Sequence, residues 1–188
     1  QEKWLLDLVA LGTVCDVVTL VDENRTNVFW GLKVLAKTRR QGLKALMAVA
    51  GVRPETVNAR SLGFSLGPRM NAAGRLETAR YALDMLTATD PMKALELARK
   101  LDEMNQNRRR EQDEILKEAI AQAETIDDPV LVVSAPGWNH GIVGIVAAKL
   151  LEKYHKPTFV LAEHGDEAKG SARSYGDFSA ADAIRSAD

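Results

Sequence analysis

Apolar and polar positions follow two different rhythms along this chain. Up to about residue 89 the apolar residues recur at helical spacing, and nothing in that stretch reads as a strong strand. The run from Trp4 to Gly12 predicts a buried helix directed towards Asp16. Further helices are predicted over 28–35 and 42–50, separated by a basic turn, Lys37-Thr-Arg-Arg-Gln-Gly42. Pro54 suits a helix start, and the helix can run from Glu55 to Leu66 until Gly67-Pro68 interrupts it. Thr78 offers an N-cap for a helix ending near Thr89.

Asp90-Pro91 pairs a cap residue with proline at the first helical position, and no glycine or proline follows before Ile126. Leu95, Ala98, Leu101 and Met104 form one apolar stripe, and Ile115, Ala119, Ile120 and Ala123 form another. Between them the segment 105–114 is polar on every side, the pattern of a helix bridging two domains through solvent. Residues 90–126 therefore read as a long connecting helix.

After Pro129 the rhythm becomes α/β. Val130 to Ser134 reads as a strand covered on both faces, Ile142 to Tyr154 as a helix, and Thr158 to Ala162 as the next strand. Lys169 to Tyr175 can form a third. The order suggests a βαβ unit with a right-handed crossover. Three parts are expected, residues 1–89, 90–126 and 127–188, giving an α/β protein overall.

Composition adds limits. The 188 residues include 46% hydrophobic and 27% charged positions, ordinary for a globular protein. No apolar run approaches the length needed to span a bilayer. Cys15 as the single cysteine excludes an internal disulfide and suits a reducing cytoplasm. A net charge of −1 argues against coating nucleic acid by bulk electrostatics, so any DNA binding must come from local arginine placement. The start at Gln1 and the end inside a helical pattern suggest a piece of something longer.

Four clusters can carry chemistry. Asp16, between an apolar helix and Val17-Val18, is poor core material unless paired or metal-bound, and can equally be a solvated helix-end carboxylate. Arg69, Asn71 and Arg75 lie in Gly67-Pro-Arg-Met-Asn-Ala-Ala-Gly-Arg-Leu76, where small residues leave the backbone approachable. Arginine's planar fork suits phosphate, although a helix junction with solvated arginines has the same signature. Asn139 and His140 sit in a glycine-bearing loop between strand and helix, a ready anion site that lacks the nucleotide-loop Gly-Lys-Ser/Thr ending. Ser171, Arg173 and Ser174 can grip a phosphate or form a polar edge strand. Arg108-Arg-Arg110 reads as a solvated face, with Arg109 and Arg110 paired to Asp113 and Glu114.

In this order the clusters resemble the RecJ family of single-strand-specific exonucleases, within the DHH phosphoesterases. The matching runs are Leu8 to Val18, Gly67 to Leu76, Gly137-Trp-Asn-His-Gly-Ile-Val-Gly-Ile-Val-Ala147 and Gly170 to Ser174. The resemblance implies that 1–89 is the mainly helical C-terminal part of a DHH catalytic domain. It implies a DHH-associated (DHHA1) α/β domain over 127–188, truncated, with DNA threading between the two. It further implies Asp16 as a Mn2+ or Mg2+ ligand of a two-metal site, with Arg75 beside it in catalysis. Arg69, Asn71 and Arg75 would contact phosphate, as would Asn139, Ser171, Arg173 and Ser174. The chain departs from the family pattern at Thr19, at Asn139-His140 and at Ala172. The earlier acidic motifs and the Asp-His-His signature would precede Gln1, which would leave this chain alone inactive. The implied function is 5′–3′ hydrolysis of single-stranded DNA in repair and recombination, with a helicase and a single-strand-binding protein as partners. A related phosphodiesterase acting on short oligonucleotides or cyclic dinucleotides, and a noncatalytic scaffold, remain alternatives.

Overall fold

The computed structural model describes residues 2–186. Two compact units divide within one helix, the first extending to Gln106 and the second beginning at Asn107. No helix among the described residues is long and apolar enough to cross a membrane.

The first unit is helical, as its 3.6-residue rhythm predicts. A short 3-10 turn, Glu2–Leu5, leads into α1 (Leu6–Cys15), followed by α2 (Asp22–Leu35) and α3 (Gln41–Val49). Gly31 lets α2 cross α1 closely, because a Cβ there would lie 2.5 Å from that of Ala10. The expected buried helix is only half buried. Ala10 and Leu11 enter the core, whereas Trp4, Leu5 and Val9 stay exposed. Asp7 is 1% exposed and explains how an acid survives inside an apolar helix. Its carboxylate accepts from Thr38 Oγ1 at 2.7 Å and Arg40 Nε at 3.3 Å, tying α1 to the basic turn.

The largest departure lies between Pro54 and Leu76. Only Pro54–Thr56 forms a turn after the first proline. Asn58 then caps a new start, its side chain accepting from the Ser61 N–H, and α4 (Ala59–Ser61) follows. A widened π turn over Leu62–Leu66 runs directly into α5 (Gly67–Leu76). Proline does not interrupt this helix, because the wide turn removes the need for its missing N–H. Gly67 keeps helical angles of φ −56 and ψ −47 before Pro68. Lacking a Cβ, it escapes much of the clash that normally forbids them. The α6 helix (Arg80–Thr87) starts with its Arg80 N–H donating to Thr78 Oγ1.

Pro91–Ala123 forms α7, a 33-residue helix about 50 Å long, with the Lys93 N–H capped by Asp90. Ala94, Leu97, Ala98, Leu101 and Met104 close the core of the first unit with Leu43, Leu46, Leu62, Leu66 and Met85. The polar stretch is not solvated all round. Asn105 and Gln112 are buried, and Arg108 donates to Gln112 at 2.7 Å. A polar stripe thus continues the apolar one along a single helix face.

In the second unit β1 (Leu131–Pro136) pairs parallel with β2 (Thr158–His164), connected by α8 (Val143–Tyr154), and β2 pairs antiparallel with β3 (Glu167–Arg173). Strand β1 is covered on one face only: Leu131 and Val133 are buried, but Val132 is 52% exposed. Gln122 of α7 clamps β1 by exchanging two hydrogen bonds with the Ser134 backbone. Gly165, at φ +60, makes the tight turn from β2 to β3. The chain continues into α9 (Ala180–Ser186).

Candidate functional site

The π turn aims α5 so that Asn71, Gly74 and Arg75 face outward while Ala72 and Ala73 are buried. Asn71 and Arg75 are one helical turn apart, so amide and guanidinium project from the same face. With Met70, Ala79 and Ala82 they line an open groove. Arg69 points elsewhere. Its Nε donates to Asp102 of α7 at 2.8 Å and its Nη1 to the Ser65 carbonyl at 2.7 Å. The pair is mostly buried, at 16% and 19% side-chain exposure. The structure therefore places Asn71 and Arg75 along one groove and ties Arg69 to α7 through Asp102.

Asp16 terminates α1, its N–H returning to the Gly12 carbonyl at 2.9 Å. It is exposed, and the chain leaves it through Val17 at φ 56, with 87% of that valine exposed. A carboxylate beside the carbonyl end of a helix is an electronegative spot that favours a cation. The same charge acts on the neighbouring thiol. Burial first, and then Asp16, push Cys15 up to about 11. Cys15 packs where α5 begins, since a Cβ at Gly67 would lie 2.6 Å from its sulfur. Among the described residues no group of three or more His, Cys, Asp or Glu side chains could hold a metal ion. Hard divalent cations need several oxygen ligands, so Asp16 and its described neighbours do not by themselves make a metal site.

In the second unit Asn139 shapes the loop that enters α8. Its Oδ1 accepts from the Gly141 N–H at 2.9 Å, and its carbonyl accepts from Ile142 and Val143. His140 is exposed, and Trp138 is buried with its indole donating to Glu118. Across the helix start, Gly144 permits contact with β3, because a Cβ there would sit 2.9 Å from Ser171 Oγ. Arg173 Nη2 donates to the Gly144 carbonyl at 3.0 Å and Nη1 to Ala172 at 2.8 Å. Ser171 and Arg173 thus meet at the first turn of α8, with the guanidinium still exposed. Ser174 lies past the end of β3, and its hydroxyl accepts from the Ala180 N–H.

The arginines of α7 differ from the expected pairing. Arg110 donates to Asn107, and Asp113 lies 3.8 Å from Lys149 instead. Sequence reasoning missed Asp102 as the partner of Arg69. Its helical position faces inward beside Leu101, the signal that could have identified it.

Comparison with known proteins places this geometry in context. Residues 127–188 match the DHHA1 domain model. The chain is 43% identical over 174 residues to the single-stranded-DNA-specific exonuclease RecJ of Bacillus subtilis, covering 90% of this chain and 22% of that protein. It is 38% identical over 192 residues to the Escherichia coli exonuclease of the same name, covering 98% and 33%. The crystal structure of RecJ in complex with Mg2+ from Thermus thermophilus matches with a TM-score of 0.88 at 33% identity, covering 98% of this chain and 29% of that one. A structure of exonuclease RecJ bound to manganese matches with a TM-score of 0.85 at 33% identity, covering 97% and 46%. The chain spans between about a fifth and a third of these two curated relatives.

Proposed function

We propose that this chain, homologous to RecJ over nearly its whole length and carrying a DHHA1 domain, is a phosphate-gripping portion of a single-stranded-DNA exonuclease. The observation supporting this reading most directly is the outward pairing of Asn71 and Arg75 over an open groove. The amide can orient a phosphate oxygen, and the guanidinium can offset the charge that grows on phosphorus-bound oxygens during hydrolysis. Arg69 acts as a positioning residue, holding α5 to α7 through Asp102. In the second unit Arg173 and Ser171 offer donors to another phosphate, with Asn139 fixing the loop and Ser174 the turn beyond β3.

Asp16 would contribute one carboxylate to a Mn2+ or Mg2+ ion whose remaining ligands would come from outside the described residues. On this reading the chain alone does not hydrolyse DNA, and the complete enzyme digests from the 5′ end in the cytoplasm. Repair and recombination, alongside a helicase and a single-strand-binding protein, would be its setting.

The test uses a longer protein containing this chain, assayed on labelled single strands with manganese, and calcium in place of manganese for binding. Arg75→Ala and Arg173→Ala should weaken binding and each reduce its salt slope by about 0.7, the single-strand value for one phosphate contact. Arg75→Ala should also slow turnover. Arg109→Ala should do none of this. Robust hydrolysis by the 188-residue chain, or Arg109→Ala proving the most damaging of the three, would overturn the assignment.

A further inference from the structure

The near-neutral total hides a sharp segregation of charge. From Asn24 to Pro54 the chain places seven of its 25 Lys and Arg and none of its 26 Asp and Glu. Arg40 is held by Asp7, but Arg25, Lys33, Lys37, Arg39 and Lys44 form no ion pair among the described residues. All five are exposed. Arg25, Phe29 and Lys33 follow one another at four-residue spacing along α2, which puts them on one stripe, and Lys37 stands in the turn just past the helix end.

The stripe also carries aromatic rings that the core does not use. Phe29 is 53% and Trp30 51% exposed, set edge-to-face with centroids 5.3 Å apart. Lys33 Nζ lies 4.2 Å from the Phe29 centroid and 4.5 Å from that of Trp30. Beside α2, the turn bearing Trp4 packs against the helix, and Arg39 stands 4.5 Å over the Trp4 ring. Aromatic rings alternating with unpaired cations match the two recognition needs of an unstructured polynucleotide. Flat faces receive unstacked bases, and ammonium or guanidinium groups receive phosphates. A duplex hides its base faces, and an acidic peptide has none to stack.

We infer that the α2 ridge, centred on Phe29, Trp30 and Lys33, is a second single-stranded-DNA contact, separate from the Asn71–Arg75 groove. It rests on the proposed substrate class but not on catalysis. The ridge would hold unreacted strand while the groove and the metal-bearing remainder act on a phosphodiester, and it requires no metal itself.

The test is binding of labelled oligo(dT) to the 188-residue chain in EDTA, read by anisotropy and by quenching of tryptophan fluorescence. Joint replacement Phe29→Ala/Trp30→Ala should weaken binding at least about tenfold, given the usual worth of base–aromatic stacking. Lys33→Gln should flatten the salt dependence by about 0.7 of a slope unit. Trp30→Phe, in an otherwise unchanged chain, should retain most affinity because a flat face remains. Lys33 is exposed and the two rings are half-exposed, so thermal melting should move little, and any variant that melts early is replaced by Lys37→Gln, tested for the same slope change. Unchanged oligo(dT) affinity in the aromatic double variant would overturn the ridge. Equally tight binding of polyglutamate or duplex DNA, or no oligo(dT) binding by the parent chain, would overturn it too. Failure of the proposed enzyme reads differently. A longer protein without nuclease activity leaves the ridge standing if the aromatic variants still lose oligo(dT).

Discussion

If Arg69 positions α5 and does not itself bind phosphate, removing its partner should do harm of the same kind as removing the arginine. Arg69→Ala deletes two charge-assisted hydrogen bonds, to Asp102 at 2.8 Å and to the Ser65 carbonyl at 2.7 Å. Such bonds are worth roughly 1.5–3 kcal/mol each. The substitution leaves Asp102 mostly buried with Gln106 as its remaining hydrogen-bond donor, at 2.8 Å. A destabilisation of about 3 kcal/mol follows, near the lower sum because both side chains keep some solvent access, at 16% and 19%. Asp102→Ala should cost about 2 kcal/mol, since Arg69 can still reach Ser65. In a double-mutant cycle the pair should couple by about 1.5 kcal/mol, well above the error for independent sites. Urea unfolding in a Trp138→Phe background isolates the first unit, whose fluorescence then comes from Trp4 and Trp30. The decisive comparison is functional. A phosphate-binding Arg69 would be released by Asp102→Ala, so that variant would bind single strands as well as the parent or better. A positioning Arg69 makes both variants lose binding together with stability, leaving the salt slope unchanged. Coupling below about 0.5 kcal/mol, or tighter binding by Asp102→Ala, would refute the reasoning.

Two further expectations concern α1. Asp7→Ala strands the buried Thr38 hydroxyl and the Arg40 guanidinium, which is only 29% exposed, and should cost about 3 kcal/mol, the low end for breaking a buried pair. Urea unfolding measures it, and a loss under about 1 kcal/mol would mean that solvent replaces the partner freely. Cys15, raised to about 11, should resist alkylation at pH 8 in the folded chain, and Asp16→Asn should speed the reaction by removing the lesser cause of that shift. Because the folded thiol holds its proton more tightly than the unfolded one, its contribution to stability is intact below about pH 9. It is lost as pH rises towards about 11. Midpoints of unfolding measured from pH 8 to 11 should therefore fall in the parent chain and fall less in Cys15→Ala.

Residue patterns alone disclosed the helical first unit, the long helix from Asp90-Pro91 and the strand–helix–strand order of the second. Each of these is written in local spacing and capping chemistry. What the patterns misread depends on partners distant in sequence. Pro68 is a helix breaker by local rule, yet the preceding π turn removes the broken hydrogen bond and the glycine before it removes much of the clash. Val132 belongs to an apolar run, but only the number of layers packed on the sheet decides whether it is covered. The segment 105–114 is polar in every direction, and no periodicity test distinguishes a solvated face from one on which Asn105 and Gln112 are buried.

The candidate site divides along the same line. Arg69, Asn71 and Arg75 are equivalent in composition, all polar residues in one small-residue motif. Helical phase already separates them, since residues one turn apart share a face and residues two apart do not. Phase alone cannot say which face meets solvent. That was settled by Asp102, 33 positions away, which draws Arg69 to the α7 side. The charge segregation of residues 24–54 was open to counting from the start, yet it gains meaning only with geometry. The same seven cations dispersed around a bundle would add solubility. Arg25 and Lys33 lie along one helix face, with Lys33 over two half-exposed rings, and that arrangement can recognise a polymer of bases and phosphates.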